Sequence, residues 1–137
     1  MADQDALFER AREIETLETQ GMKISEGWYQ FEPGEKSDIQ ELAKISTKSL
    51  NALTELSEDL SRRIENLKPG EPSRESLQYA YNLAQELIQS RQAIQEMLEN
   101  VLAGRDFKEY FRALSIKEKA ASKQAATLKE TLEKTIH

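Results

Sequence analysis

Three breaks, about 35 residues apart, divide this chain into four stretches of helical pattern. The first two, EPGEKSDIQ at 32–40 and KPGEPSRES at 68–76, share the pattern P-G-E-x-S with an offset of 36 residues. In each, Pro and Gly stop one helix and a Ser stands where the next would be capped. Ser37 with Gln40 reads as a capping box, in which each side chain satisfies a free backbone N–H near the other. In the third break, AGRDFKE, Gly104 follows a helical pattern, and Asp106 with Glu109 three residues on begins the next. The repeated turn is compatible with an internal duplication, but helix stop-and-start chemistry produces it independently. Only three prolines and five glycines occur in 137 residues, too few turn signals for a β-rich chain.

Between the breaks, apolar residues recur at spacings of three and four. Residues 37–67 carry Ile39, Leu42, Ile45, Leu50, Leu53, Leu56, Leu60, Ile64 and Leu67. Residues 73–103 carry Leu77, Ala80, Ala84, Leu87, Ile94, Leu98 and Val101, with Arg91 in the one intervening slot. Residues 106–136 carry Phe107, Phe111, Leu114, Ala121, Ala125, Leu128, Leu132 and Ile136. Each predicts an amphipathic helix of about 30 residues, roughly 45 Å long. The first stretch is the ambiguous one. Gly21 costs about 1 kcal/mol in a helix interior and invites a stop there, which would leave 22–36 as a loop or short hairpin displaying aromatics. Yet Ile14, Leu17, Gly21, Ile24, Trp28 and Phe31 keep the phase up to the Pro-Gly break. The phase favours a first helix over 4–32, with Trp28 and Phe31 closing the end of a core, Tyr29 off the stripe, and Gly21 allowing a close crossing or a kink. No stripe is wide enough to hold its helix alone, so burial must be mutual. The expected fold is all-α: one domain over 1–137, an antiparallel up-down bundle of four long helices, the alternative being three long helices with a short N-terminal one and an aromatic loop.

The chemistry available is narrow. The chain has no cysteine, and its single histidine is the last residue, His137. Disulfides and cysteine nucleophiles are excluded, and histidine-dependent catalysis or haem and di-iron ligation is not expected. No Gly-rich phosphate loop or nucleophile elbow is present. The i,i+3 carboxylate pairs Glu15/Glu18, Glu96/Glu99 and Glu130/Glu133, and the cluster Glu55, Glu58 and Asp59, have spacings that hold Mg²⁺ in some helical hydrolases. With 25 acidic residues such spacings arise by chance, and these are expected mostly to point away from the apolar stripes. No cofactor or metal is expected, and the chain reads as a non-enzyme.

Charge gives the remaining clues. Residues 1–104 hold 11 basic and 20 acidic side chains, net −9; residues 105–137 hold 8 and 5, net +3. The last helix, with Lys117, Lys119 and Lys123 beside several alanines, either pairs with acidic neighbours or docks a protein partner, an acidic one by charge. Small residues bury little area, so this helix would be loosely held before docking. Arg91 in a core slot either snorkels outward, pairs with an acid on a neighbouring helix, or anchors an anionic ligand or partner. The partner-binding candidates are therefore Trp28, Tyr29, Phe31, Arg91, Lys117, Lys119 and Lys123. The function expected is a protein-interaction module: an adaptor, assembly factor, chaperone or inhibitor, with a homo-oligomer through the same faces as one form. The alternatives are a nucleic-acid-associated subunit using the basic helix, which the overall acidity disfavours, and an excised sensor domain. The acidic N-terminus MADQDALFER has no signal-peptide core and no apolar run spans a membrane, so a cytoplasmic location is expected.

Overall fold

The computed structural model describes residues 2–29, 36–104 and 108–136, with only the backbone given for 2–5, 29, 108, 109 and 136. Four helices follow one another: α1 (Ala2–Ser25), α2 (Lys36–Asn66), α3 (Pro72–Leu102) and α4 (Lys108–Ile136). A 3₁₀ turn, Glu26–Tyr29, extends α1. No strand occurs among the described residues.

The helices form a ring in which α1 packs on α2 and α4, and α3 packs on the same two. The diagonal pairs, α1 with α3 and α2 with α4, bring no described Cα atoms within 8 Å of one another. Neighbours run antiparallel, as cross-helix pairs show. Arg10 near the start of α1 bonds Asp59 near the end of α2 at 2.5 Å, and Glu15 of α1 accepts from Lys129 near the end of α4 at 3.1 Å. Gln85 Nε2 of α3 donates to Ser57 Oγ of α2 at 2.5 Å, and Gln95 Nε2 to Thr47 Oγ1 at 3.2 Å. The expected four-helix bundle is the observed one.

Helix α1 does not stop at Gly21. It continues to Ser25 and tightens into the 3₁₀ turn, so a loop or hairpin over 22–36 is excluded as far as Tyr29. The reason is burial at the far end. Trp28 is 7% exposed and meets Phe111 of α4 edge-on, ring centroids 5.4 Å apart at 87°. Such a contact adds to the area the indole buries. The expected α-helical span to residue 32 is thus an α-helix followed by a 3₁₀ turn; Phe31 lies outside the described residues.

The breaks resolve differently from their expected caps. Helix α3 begins one residue before Ser73: Glu71 is its N-cap, without a side-chain cap bond, and Pro72 opens the first turn. Proline's fixed φ suits that first helical position. Gly70 supplies the left-handed backbone, φ +93°, that the turn needs. Helix α2 starts at Lys36, which puts Ser37 inside the first turn rather than ahead of it. Asp106 and Phe107 lie outside the described residues.

Each helix buries one stripe at three-four spacing, and the stripes include polar slots. In α2 the buried positions run Leu42, Ser46, Ser49, Leu53, while Leu50 is only half-buried. In α1, Glu18 is fully buried and its neighbour Leu17 half-buried. In α4 the stripe runs Leu114, Glu118, Ala121, Ala125. The expectation that the Glu15/Glu18 pair points away from the core is therefore corrected at Glu18. A tilt of the helix about its axis by less than half a turn's spacing moves that carboxylate inward in place of Leu17.

Because α1 is helical through Ile24, Ile24→Pro removes a backbone donor and clashes with the preceding turn. It should destabilise the bundle by about 3 kcal/mol in urea unfolding. A loop at this position would lose only a fraction of that.

Candidate functional site: a buried ionic layer and a basic outer face

Halfway along the bundle all four helices contribute one polar side chain to a single layer. Glu18 comes from α1, Ser49 from α2, Arg91 from α3 and Glu118 from α4. All four are fully buried. Arg91 lies between two carboxylates. Its Nε donates to Glu18 Oε1 at 3.1 Å and its Nη2 to Glu18 Oε2, a bidentate pairing. Its Nη1 donates to Glu118 Oε1, and Nη2 reaches Glu118 Oε2 at 3.4 Å. The Ser49 hydroxyl donates to Glu18 Oε1 at 2.6 Å. The Arg91–Glu18 pair crosses the diagonal of the ring, joining α1 and α3, whose backbones make no close contact.

The guanidinium suits this place because its planar fork carries several donors in fixed directions. An unpaired charge here would be expensive, and bidentate charge-assisted bonds offset much of that cost. Burial acts to lower the Arg91 pKa, but the Glu118 and Glu18 carboxylates outweigh it and leave it above its ordinary value. For Glu118, burial dominates over Arg91's attraction, and its pKa is pushed up to about 7.

Gly21 makes the layer fit. A Cβ built there would overlap Glu118 Oε2 and sit 3.1 Å from Leu42 Cδ1. The glycine is therefore not a helix stop, and the close approach it permits is that of the α4 carboxylate. It is the gap in α1 through which the α4 carboxylate reaches Arg91. Ser46, one turn from Ser49 on α2, is fully buried and its hydroxyl has no hydrogen-bond partner.

Of the partner-binding candidates, Arg91 joins this layer and is closed off from solvent. Trp28 sits in the core against Phe111, remote from the layer in sequence register. Tyr29 ends the 3₁₀ turn, its side chain outside the described set, and Phe31 lies beyond it. Lys117, Lys119 and Lys123 are all exposed on α4 and make no ion pair among the described residues. The acid-paired lysine of α4 is Lys129 instead. Ile116, 52% exposed, shares an outer face with Lys119 and Lys123 at spacings of three and four. The inner face of α4 is thin there, with Ala121 and Ala125 fully buried.

The carboxylate pairs do not assemble into a metal site: no group of three or more acidic or histidine side chains with ligating geometry occurs among the described residues. A shallow groove of about 930 Å³ between the start of α3 and the end of α4, lined by Tyr79, Asn82, Thr131 and Lys134, is open to solvent and has no convergent buried polar groups. No described helix is long and apolar enough to cross a membrane. No protein-family model, curated protein or solved structure matches the chain.

Two substitutions separate the roles in the layer. Arg91→Met should destabilise by about 3–5 kcal/mol in chemical denaturation, because it strands two buried carboxylates. Replacing Glu18, Arg91 and Glu118 together by apolar residues of similar volume should be neutral or stabilising by about 1–4 kcal/mol. A triple variant as unstable as Arg91→Met would show that the layer contributes more than its own pairing.

Proposed function

We propose that this chain is a non-enzymatic binding module that takes an acidic, amphipathic protein segment on the outer face of α4. The observation that carries the reading is the set of exposed lysines, Lys117, Lys119 and Lys123, without ion-pair partners around the half-exposed Ile116. Lys129, on the same helix, is by contrast taken up by Glu15. Here a cationic strip with one apolar side chain faces outward on a molecule of net charge −6. An acidic helix with one or two apolar anchors complements it in charge and spacing, and the field of the strip would speed and orient its approach.

The non-enzymatic reading is supported by the inaccessibility of the acids that come closest to a catalytic set. Glu18 and Glu118 are sealed under side chains and bonded to Arg91, with no route for a substrate. The large apolar side chains exposed among the described residues are Tyr79, Leu102 and Ile116. They form no broad apolar face of the kind an obligate homo-oligomer buries. The fitting partner is thus one held largely by charge, in a salt-dependent complex.

The double variant K119E/K123E tests this. As surface changes they should leave unfolding free energy within about 0.5 kcal/mol of wild type. In nuclease-treated lysate of the source, wild type should retain a protein at near-equal amount that high salt releases, and the variant should retain at least about tenfold less of it. Equal recovery by both proteins would refute the α4 site. Recovery abolished by nuclease would replace the protein partner by nucleic acid.

A further inference from the structure

The central layer holds two carboxylates and one cation, and the two carboxylates are not treated alike. Glu18 accepts three bonds, two from Arg91 and one from Ser49, at both of its oxygens. Glu118 accepts one close bond at Oε1, while its Oε2 has only the 3.4 Å approach of Nη2 and lies against the Cα of Gly21. With both acids ionised, a dry layer spanning the bundle carries a surplus negative charge. With a proton on Glu118, the layer reduces to one matched pair, Glu18 with Arg91.

We propose that this layer is a proton-binding switch, in which Glu118 takes up a proton at its under-bonded Oε2, and loss of that proton loosens α4 from the rest of the bundle.

Among the described residues, the surroundings offer nothing else to neutralise the surplus. Of the elements packed on α4, α1 presents Glu18 and α3 presents Arg91, while the 3₁₀ turn's charged residue, Glu26, is exposed. Across the ring α2 presents the neutral hydroxyls of Ser49 and, unpartnered, Ser46. On α4 itself Lys117 and Lys119 face solvent, and Lys129 is taken up by Glu15 in a half-buried ion pair. Beside the layer α4 buries Leu114 on one side and only the small Ala121 and Ala125 on the other, so the apolar area that holds α4 on that second side of Glu118 is small. The elevated Glu118 pKa, about 7 against an ordinary 4.5, agrees with this geometry.

The direction follows from linkage. The folded state binds the Glu118 proton more tightly than the unfolded chain does. The stabilisation is complete below the ordinary carboxylate range and is lost as pH rises to about 7. Few other groups change charge there, since the one histidine is the terminal His137. This inference is independent of the partner proposed for α4.

Carbon-13 NMR of the Glu118 carboxyl in the wild-type protein gives the first test. A midpoint near neutrality is expected; titration wholly below pH 5 would overturn the proposal without any variant having to fold. The second test is urea unfolding at pH 5.5 and 8. The wild-type unfolding constant should rise about tenfold or more, and Glu118→Gln should abolish that rise. Across the same interval, amides of α4 beside Glu118 should lose hydrogen-exchange protection, corrected for intrinsic rates, while those of α2 near Leu56 keep theirs. Parallel pH dependence in wild type and Glu118→Gln, or equal loss of protection in α2 and α4, would contradict the switch.

Discussion

The bundle is organised around one guanidinium. Arg91 sits where three helices converge, and its two carboxylate partners come from the opposite and the adjacent helix. Ser49 joins the fourth helix to the same group through Glu18. Apolar layers on either side supply most of the stability, but they are permissive: Leu stripes slide past one another at modest cost. A buried charge with fixed donor directions does not tolerate sliding. A shift of one helical turn in α1, α3 or α4 would strand a carboxylate or the guanidinium in an apolar layer, at several kcal/mol. The layer thus favours one register and one rotational setting for those three helices, at the expense of the extra stability an apolar layer would give.

Local features elsewhere follow from that setting. Gly21 is retained in mid-helix despite its cost of about 1 kcal/mol because Glu118 needs the space. Ala121 and Ala125 let α4 approach closely next to the layer, which brings Glu118 within reach of Arg91. With only alanine on one side of Glu118, that stretch of α4 depends on its carboxylate pairing more than α2 depends on the Ser49 hydroxyl. Its outer face carries the unpaired lysines. The helix whose exposed surface is best suited to another molecule is therefore the one held in place by the most finely balanced group in the core.

Much of this was legible in the sequence, and the rest was hidden for a definite reason. The three breaks and the apolar spacing specify four antiparallel helices. Arg91 announces itself as a core residue because Leu87 and Ile94 flank it in strict phase. Glu118 had the same spacing: Leu114 and Ala121 stand seven apart, with a slot between them at 118. A single glutamate in a helix rich in charge does not stand out from its solvent-facing neighbours, so that slot carries no distinct signal of burial. Glu18 and Ser49 are harder. Each has a leucine next door, Leu17 and Leu50, that fits the stripe about as well, and a rotation of the helix decides between them. That rotation is fixed by contacts with three other helices, which one-dimensional spacing does not contain. For the same reason periodicity could offer partners for Arg91 but not choose them. Gly21 reads as a stop, a kink or a close crossing, and spacing does not choose among them because the carboxylate that fills the space beside it comes from a residue 97 positions later.

The register of the bundle depends on Arg91 being locked between Glu18 and Glu118 in solution. Side-chain nitrogen-15 NMR of the arginine guanidinium groups addresses it directly. Arg91 Nε–H and Nη–H signals should persist in D₂O long after those of the exposed Arg12 and Arg62 have exchanged, with restricted rotation of the guanidinium. Arg91 signals that exchange as fast as those of the surface arginines would mean the side chain reaches water, and the layer could not then be what sets the register of the bundle.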